Sequence, residues 1–321
     1  MSLPRRLLAR LRGTARIDAL EARLGALDGR VAAELGAAPQ ARLGALDAQL
    51  AAVERGLGPL AAQLAALEGR LAERERLQQV RDTMDWIERA ALARSPLISV
   101  VLPTRDRAPW LARAIASVEA QSYPDWELLV VDDDSRDDTA ALLARAAGPR
   151  LHALRGAGRG ACAARNVALA AAAGSIVAYL DDDNLMHPHW LKAVAWAFTT
   201  RPAADVLYGA FLVDDPERIL GGPGGALPRL YFFPYDHSAV ARDNIADMGC
   251  IAHRAGLPGT RFDEGLREMG DWDLLLRLTR DKAPFALPAI ACYYTTDAPH
   301  RLSNGPTFAT DLALVRERHR R

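Results

Sequence analysis

IVAYLDDDN, residues 176–184, is an apolar run that ends abruptly in three aspartates. The run Ile176 to Leu180 is continuous rather than alternating, the pattern of a strand buried on both faces. Asp181, Asp182 and Asp183 therefore emerge together where that strand stops. In a parallel α/β sheet the ligand crevice lies at the carboxyl ends of the strands. Three carboxylates crowded there raise one another's pKa unless a cation neutralises them. Hard oxygen ligands suit Mg²⁺ or Mn²⁺, which typically bridge protein carboxylates to a substrate's phosphates. A solvated acidic turn is the alternative for a DDD triplet taken alone.

The surrounding sequence repeats the strand-then-helix pattern. PLISVVLPT, from Pro96, reads as a first buried strand and WLARAIASVEAQ as a helix; ELLVVDDDS and TAALLARAAG follow as strand and helix. LHALR is a short third strand, ACAARNVALAAAAG a helix, and IVAYLDDD the fourth strand. Such alternation predicts a parallel sheet with covering helices. Polar clusters fall at the strand ends: Pro103-Thr104-Arg105-Asp106-Arg107, Asp132-Asp133-Asp134-Ser135, and the triplet itself. Acidic residues there can accept hydrogen bonds from ribose hydroxyls or a base N–H. Any of them could instead cap a helix, and Asp137 reads as such a cap. Arg165 could clamp a diphosphate bidentately or form a surface ion pair.

Residues 1–95 are of another kind. They hold no aromatic residue before Trp86 and repeat ARLGALD at 22–28 and 41–47, with AAQLAALE at 61–68. Leu43, Leu46, Leu50, Val53, Leu57, Leu60, Leu64, Leu67 and Leu71 alternate spacings of three and four, a heptad seam, and Leu20, Leu24, Leu27 and Val31 start a similar seam earlier. Pro39 and Pro59 fit best in the first turns of new helices. The pattern predicts three helical segments of roughly twenty residues, an interrupted coiled coil or small bundle. The expected consequence is homo-oligomerisation through residues 20–75; a frayed solvated arm and a peripheral membrane contact are the other readings.

Composition narrows the function classes. The formal net charge is zero, so no global field favours nucleic acid or an acidic membrane. Nearly all basic residues are arginine, Lys192 and Lys282 being the lysines, which reads as coding bias rather than a phosphate-binding surface. Cys162, Cys250 and Cys292 are odd in number and far apart, against a disulfide framework. No run of eighteen apolar residues is present, and the basic start MSLPRRLLARLRG lacks a signal peptide's apolar stretch. The expected location is the cytoplasm, with the inner membrane face as a peripheral site.

GAGRGA, residues 156–161, offers a competing interpretation. Strand LHALR, the G-x-G-x-G of Gly156, Gly158 and Gly160, a helix and a strand ending in Asp181 mimic an NAD(P)-binding βαβ unit of an oxidoreductase. The third fingerprint glycine is displaced, however, with Ala161 in its place. The unit also stands third in the sheet, and an NAD site needs no carboxylate triplet.

In order and spacing, SVVLPTRDR, AQSYPDWELLVVDDDSRDDT, GACAARNVALAAAAGSIVAYLDDDNLMHPHWL and EMGDWDLLLRL resemble the inverting family 2 glycosyltransferases over about residues 97–305. The resemblance implies a GT-A fold, Rossmann-like with a mainly parallel sheet flanked by helices, over residues 96–321. It implies a metal-dependent inverting transfer from a nucleoside-diphosphate sugar, most often a UDP-sugar, to a saccharide or cell-surface glycan precursor. Pro103, Thr104 and Asp106 would line the nucleotide pocket, and Asp132 or Asp133 would hold base and ribose. Arg165 would approach the diphosphate, and Asp181 and Asp182 would contact the nucleotide sugar. Asp183 and Asp181 would hold Mn²⁺ or Mg²⁺, with His300 as a further metal or phosphate contact, or else a surface histidine. Asp271 would be the general base, where relatives often carry Glu-Asp and this chain has Gly270-Asp271; otherwise Asp271 caps its helix, and Asp273 is structural. The family often has Gly in place of Asp134 and Asp in place of Asn184. A nucleotide-sugar-binding scaffold without turnover is the remaining alternative.

Overall fold

A computed structural model of the protein describes residues 15–35, 37–92, 95–213, 229–295 and 307–320. The chain divides into two compact units, Met1–Ala72 and Glu73–Arg321. In the first, helix α1 (Ala15–Leu35) is followed by α2 (Ala37–Arg89), which runs on into the second unit. Pro39 falls in the first turn of α2, as its missing N–H demands. Pro59 differs from expectation: it starts no new helix but sits inside α2. The lost hydrogen bond and ring clash cost about 3 kcal/mol. The stretch is exposed, so the carbonyl left without a donor is open to solvent. The seam residues from Leu43 to Leu71 are each 54–61% exposed, so nothing in the described chain covers them.

The last turns of α2, within the 1–95 segment set apart by composition, belong to the second unit. Val80, Met84 and Ile87 recur on one face and are buried in its core. Trp86 meets Trp196 edge-on at 4.9 Å between ring centroids.

The second unit continues through β1 (Ile98–Thr104), α3 (Ala108–Glu119), β2 (Trp126–Asp132), α4 (Thr139–Ala146), β3 (Leu151–Arg155), α5 (Ala161–Ala171) and β4 (Ile176–Tyr179). After these come β5 (Leu185–Met186), α6 (Trp190–Thr200), β6 (Val206–Val213), β7 (Arg229–Tyr231) and α7 (His237–Val240). A 3-10 turn (Met248–Cys250), β8 (Ile251–Arg254), α8 (Gly270–Leu278), β9 (Phe285–Tyr294) and α9 (Phe308–Arg318) complete it. The sheet order is β3-β2-β1-β4-β8-β6-β9-β5, with β7 on β6. β1, β2, β3 and β4 are mutually parallel, β1 and β2 being buried along their whole length, as the continuous apolar runs require. β8 runs antiparallel to both β4 and β6, and β9 returns parallel to β6. This is the expected α/β architecture of GT-A type, with antiparallel strands on its far side.

Strand order reverses at β1, which has β2 on one side and β4 on the other. Backbone diverging from such a point opens a crevice at the carboxyl ends of the strands. Thr104 and Asp181 stand at its two lips.

Because Ile87 is fully buried against this core, Ile87→Ala should destabilise the second unit by about 2–5 kcal/mol. Chemical denaturation read by tryptophan fluorescence measures it. A change below about 0.5 kcal/mol would show that the last turns of α2 are not part of the core.

Candidate active site

The near wall is made of loops stitched to one another by their acidic residues. Pro103 and Thr104 end β1, and the buried Thr104 hydroxyl donates to Asp182 Oδ2 at 2.7 Å. Asp106 adopts a left-handed φ of 53°; its N–H donates to Ser135 Oγ at 3.0 Å, and its carboxylate accepts from Arg136 N–H at 2.6 Å. Asp132 closes β2 and accepts from Ser135 N–H at 2.8 Å. Asp137 accepts from the N–H and hydroxyl of Thr139 and also from Ala108 N–H, so it ties the starts of α3 and α4 together.

Asp133 explains the glycine loop. Its carboxylate accepts from Arg159 N–H at 3.2 Å and Gly160 N–H at 2.7 Å. A Cβ on Gly156 would lie 2.5 Å from Asp133 Oδ1, and Gly158 and Gly160 take φ of 67° and 99°. The glycines thus let the loop close over a carboxylate of the chain itself. A dinucleotide pyrophosphate would need those same N–H groups, so the oxidoreductase interpretation loses its site.

The triplet is held by two arginines. Asp181 accepts from Arg165 Nη2 at 2.6 Å. Arg165 projects from α5 and is buried. Burial works against its charge, but Asp181 outweighs that, and the guanidinium stays above its ordinary pKa. Its buried Nε has no hydrogen-bond partner among the described residues, which leaves a donor for an incoming ligand oxygen. Asp182 is buried and accepts from Thr104 and from Arg107 Nη1 at 2.9 Å; burial pushes it up to about 6 even so. Arg107 Nη1 also meets Asp183 at 3.0 Å. No sequence signal singled out Arg107 beyond the need of three adjacent carboxylates for a cation.

The far wall comes from the start of α8 and the segment before β8. Asp271 lies in the first turn of α8, where Oδ2 accepts from Asn244 Nδ2 at 2.8 Å. Burial pushes Asp271 up to about 6, with Asp181 adding to the rise and Trp272 N–H, Arg165 and Asn244 opposing it. A Cβ on Gly270 would lie 2.5 Å from Cys162 Sγ and 3.8 Å from Arg165 Nη1, so glycine leaves space beside that arginine. Asp273 is fully buried and binds Arg277 Nε at 2.8 Å, Arg318 Nη1 at 3.1 Å and His319 Nε2 at 3.0 Å. Those partners lock α9 onto α8 and give Asp273 a structural role.

Asp247, which the sequence did not single out, is the remaining member. It is half-buried, and burial, followed by the charges of Asp181 and Asp271, holds it well above the usual carboxylate range. Asp181, Asp183, Asp247 and Asp271 therefore share one field. The oxygen donors of Asp181 and Asp183 suit a hard divalent cation such as Mn²⁺ or Mg²⁺. His300 lies outside the described residues. His187 is half-buried and pushed down to about 3 by burial, and His189 meets Ser122 Oγ through Nδ1 at 2.8 Å.

Residues 99–255 match the family model described as "Glycosyl transferase family 2". The chain is 38% identical over 126 residues to "UDP-Glc:alpha-D-GlcNAc-diphosphoundecaprenol beta-1,3-glucosyltransferase WfgD" of Escherichia coli, covering 39% of this chain and 49% of that protein. It is 29% identical over 206 residues to a "PGL/p-HBAD biosynthesis glycosyltransferase" of Mycobacterium bovis, covering 62% and 74%. Among solved structures, S. aureus TarS 1-349 in complex with UDP-GlcNAc aligns with a TM-score of 0.55 at 20% identity, covering 68% of this chain and 65% of that one. At that identity the likeness speaks for the fold. The chain spans less than half the length of several curated relatives that it matches.

Proposed function

We propose that this chain, which matches the glycosyltransferase family 2 model over residues 99–255, transfers a sugar, with inversion, from a nucleoside-diphosphate sugar to an acceptor hydroxyl in its crevice. The observation that carries the proposal is the buried carboxylate of Asp271, held by Asn244 and sharing one electrostatic field with the Arg165–Asp181 pair at the strand ends. Inverting transfer is an in-line displacement at the anomeric carbon. The acceptor hydroxyl must lose a proton as it attacks, so a carboxylate has to stand opposite the leaving group. Asp271 fills that role, and the Asn244 side-chain amide keeps its carboxylate oriented.

Arg165 carries the positive charge that meets the leaving diphosphate. Asp183 and Asp181, with His300, are the residues that would hold Mn²⁺ or Mg²⁺, a cation that offsets the leaving group's negative charge when bound. Asp182 supports that role from behind, braced by Thr104 and Arg107. Pro103, Thr104, Asp106, Asp132 and Asp133 form the wall for base and ribose. A UDP-sugar is the first donor to test, and a saccharide or cell-surface glycan precursor the first acceptor class, in keeping with the relatives' names.

The exposed seam of the first unit supports self-association through residues 20–75. No helix among the described residues is long and apolar enough to cross a membrane. We place the reaction at the cytoplasmic side, with peripheral contact to the inner membrane face as its variant.

Asp183→Ala should abolish Mn²⁺-dependent binding of UDP in a thermal-shift assay, whereas ligand at a hundred times its dissociation constant stabilises the wild type by about 2.7 kcal/mol. Undiminished binding would remove Asp183 from the site.

Asp271→Asn should keep donor binding and slow transfer by roughly a hundredfold or more. A base is competent only when ionised, so wild-type kcat/KM should fall as pH drops through about 6, the value to which burial raises Asp271. Near-normal turnover of the variant, or an unchanged acid limb in it, would return Asp271 to a structural part.

For the arm, Leu50→Asp combined with Leu57→Asp should convert an oligomer to monomer in sedimentation velocity. A wild type that is monomeric at every concentration would sink self-association through the seam.

A further inference from the structure

Behind Asp247 lie two thiols that the transfer reaction does not use. Cys250 ends the 3-10 turn before β8, and Cys292 lies on β9. β6 runs between β8 and β9 in the sheet, yet the two sulfurs stand 3.9 Å apart. Cys292 Sγ is 4.0 Å from Asp247 Oδ1, and ligand atoms of Asp247, Cys250 and Cys292 all lie within 4.8 Å of one another.

These distances discriminate between the available chemistries. A tetrahedral Zn²⁺ ion with Zn–S bonds of about 2.3 Å has an S···S edge of about 3.8 Å. The observed 3.9 Å nearly matches that edge. A disulfide would require the sulfurs to close to about 2.05 Å. In the protonated state Cys292 donates weakly to Asp247 Oδ1 and one thiol donates to the other, contacts that metal–sulfur bonds would replace.

Two further features suit a cation. A Cβ on Gly249 would lie 3.1 Å from Cys292 Sγ and 3.2 Å from Asp247 Oδ1. Gly249 has no left-handed φ, so the glycine keeps the cluster uncrowded rather than permitting a turn. Asp247 accepts from Gly249 N–H at 3.0 Å and faces Asn184 Nδ2 at 3.4 Å, both at Oδ1. Oδ1 is also the oxygen set 4.0 Å from Cys292 Sγ. Asp247 is half-buried while both cysteines are fully buried, so the carboxylate is the member of the cluster nearest to solvent.

We propose that Asp247, Cys250 and Cys292 form a thiolate-containing site for a soft divalent cation of the Zn²⁺ class, separate from the oxygen-only aspartates. Binding replaces two S–H bonds by two metal–sulfur bonds and releases two protons to solvent. The ion ties the 3-10 turn to β9 and fixes Asp247 beside Asp271. The fourth position, open toward the crevice, is left to water.

The test uses the full-length, reduced protein, freed of metal and titrated with Co²⁺. A thiolate-to-cobalt charge-transfer band should grow and saturate at about one equivalent per chain. It should vanish in Cys292→Ser and in Cys250→Ser, and persist in Asp183→Ala and Cys162→Ser. Oxygen ligands give no such band, so the outcome is independent of donor binding and turnover. Should the serine variants fail to fold by circular dichroism, Asp247→Asn replaces them and should weaken Co²⁺ binding at least about tenfold. Absence of the band in folded wild type, its survival in both serine variants, unchanged affinity in Asp247→Asn, or a Cys250–Cys292 disulfide found by peptide mapping would each overturn the site.

Discussion

Like-charge crowding at the carboxyl end of β4 is the constraint on which the rest of the crevice depends. Asp181, Asp182, Asp183, Asp247 and Asp271 converge there, and Arg107 and Arg165 are the guanidinium groups aimed at them. Were all five carboxylates ionised, they would outnumber these two guanidinium groups of the described residues by three in a partly desolvated space. Such an excess is relieved by protons or by a bound cation. The carboxylates respond by holding protons more tightly: Asp182 and Asp271 are pushed up to about 6, and Asp247 is held well above the usual carboxylate range. A cation and a diphosphate entering together relieve it differently, since each compensates the other as well as the protein. The crevice is thus poised for a charged pair rather than for a neutral ligand.

That poise needs stiff walls, because repelling side chains swing apart unless each has another partner. Each acidic residue of the near wall supplies or finds one. Asp182 is fixed by Thr104 and Arg107, Asp106 spans the loops after β1 and β2, and Asp133 is enclosed by the glycine loop. Arg165 is anchored from α5, its guanidinium 5.4 Å from the centre of the Phe262 ring. On the far wall Trp272 is buried with its indole N–H on Val240 O, while Asp273 holds α9. Asp271 and Asp273 sit two residues apart and do opposite things. One accepts from an amide of its own wall, and the other is saturated by Arg277, Arg318 and His319 within the core.

The parallel half of the sheet was legible because strands buried on both faces must be apolar without interruption, and their ends are marked by the first charged residue. The rest of the sheet carried weaker marks. β5 is two residues long and β7 three, too short for any period. Pro59 misled because its usual place is a helix start, whereas an exposed helix tolerates it inside. In the site, motifs local in sequence were readable, from the triplet to Gly270-Asp271. Arg107, Asn244 and Asp247 were not, since their partners lie 75, 27 and 63 residues away and each is an ordinary loop residue alone. The glycine loop was ambiguous for the same reason, as the anion it encloses comes from another strand end.

The departure at Gly270 has a physical account in the packing behind the base. Where relatives often place Glu before the aspartate, this chain has no room for even a Cβ, which would approach Cys162 Sγ to 2.5 Å. Cys162 sits in the first turn of α5, three residues before Arg165. Bulk placed on α5 is therefore withdrawn from α8, and the two helices close without displacing the arginine. A glutamate there would also add a carboxylate to a crevice already rich in them. Glycine at this position keeps Arg165 on Asp181 and leaves Asp271 as the acidic group that α8 offers to the crevice, since Asp273 is consumed by its own cations.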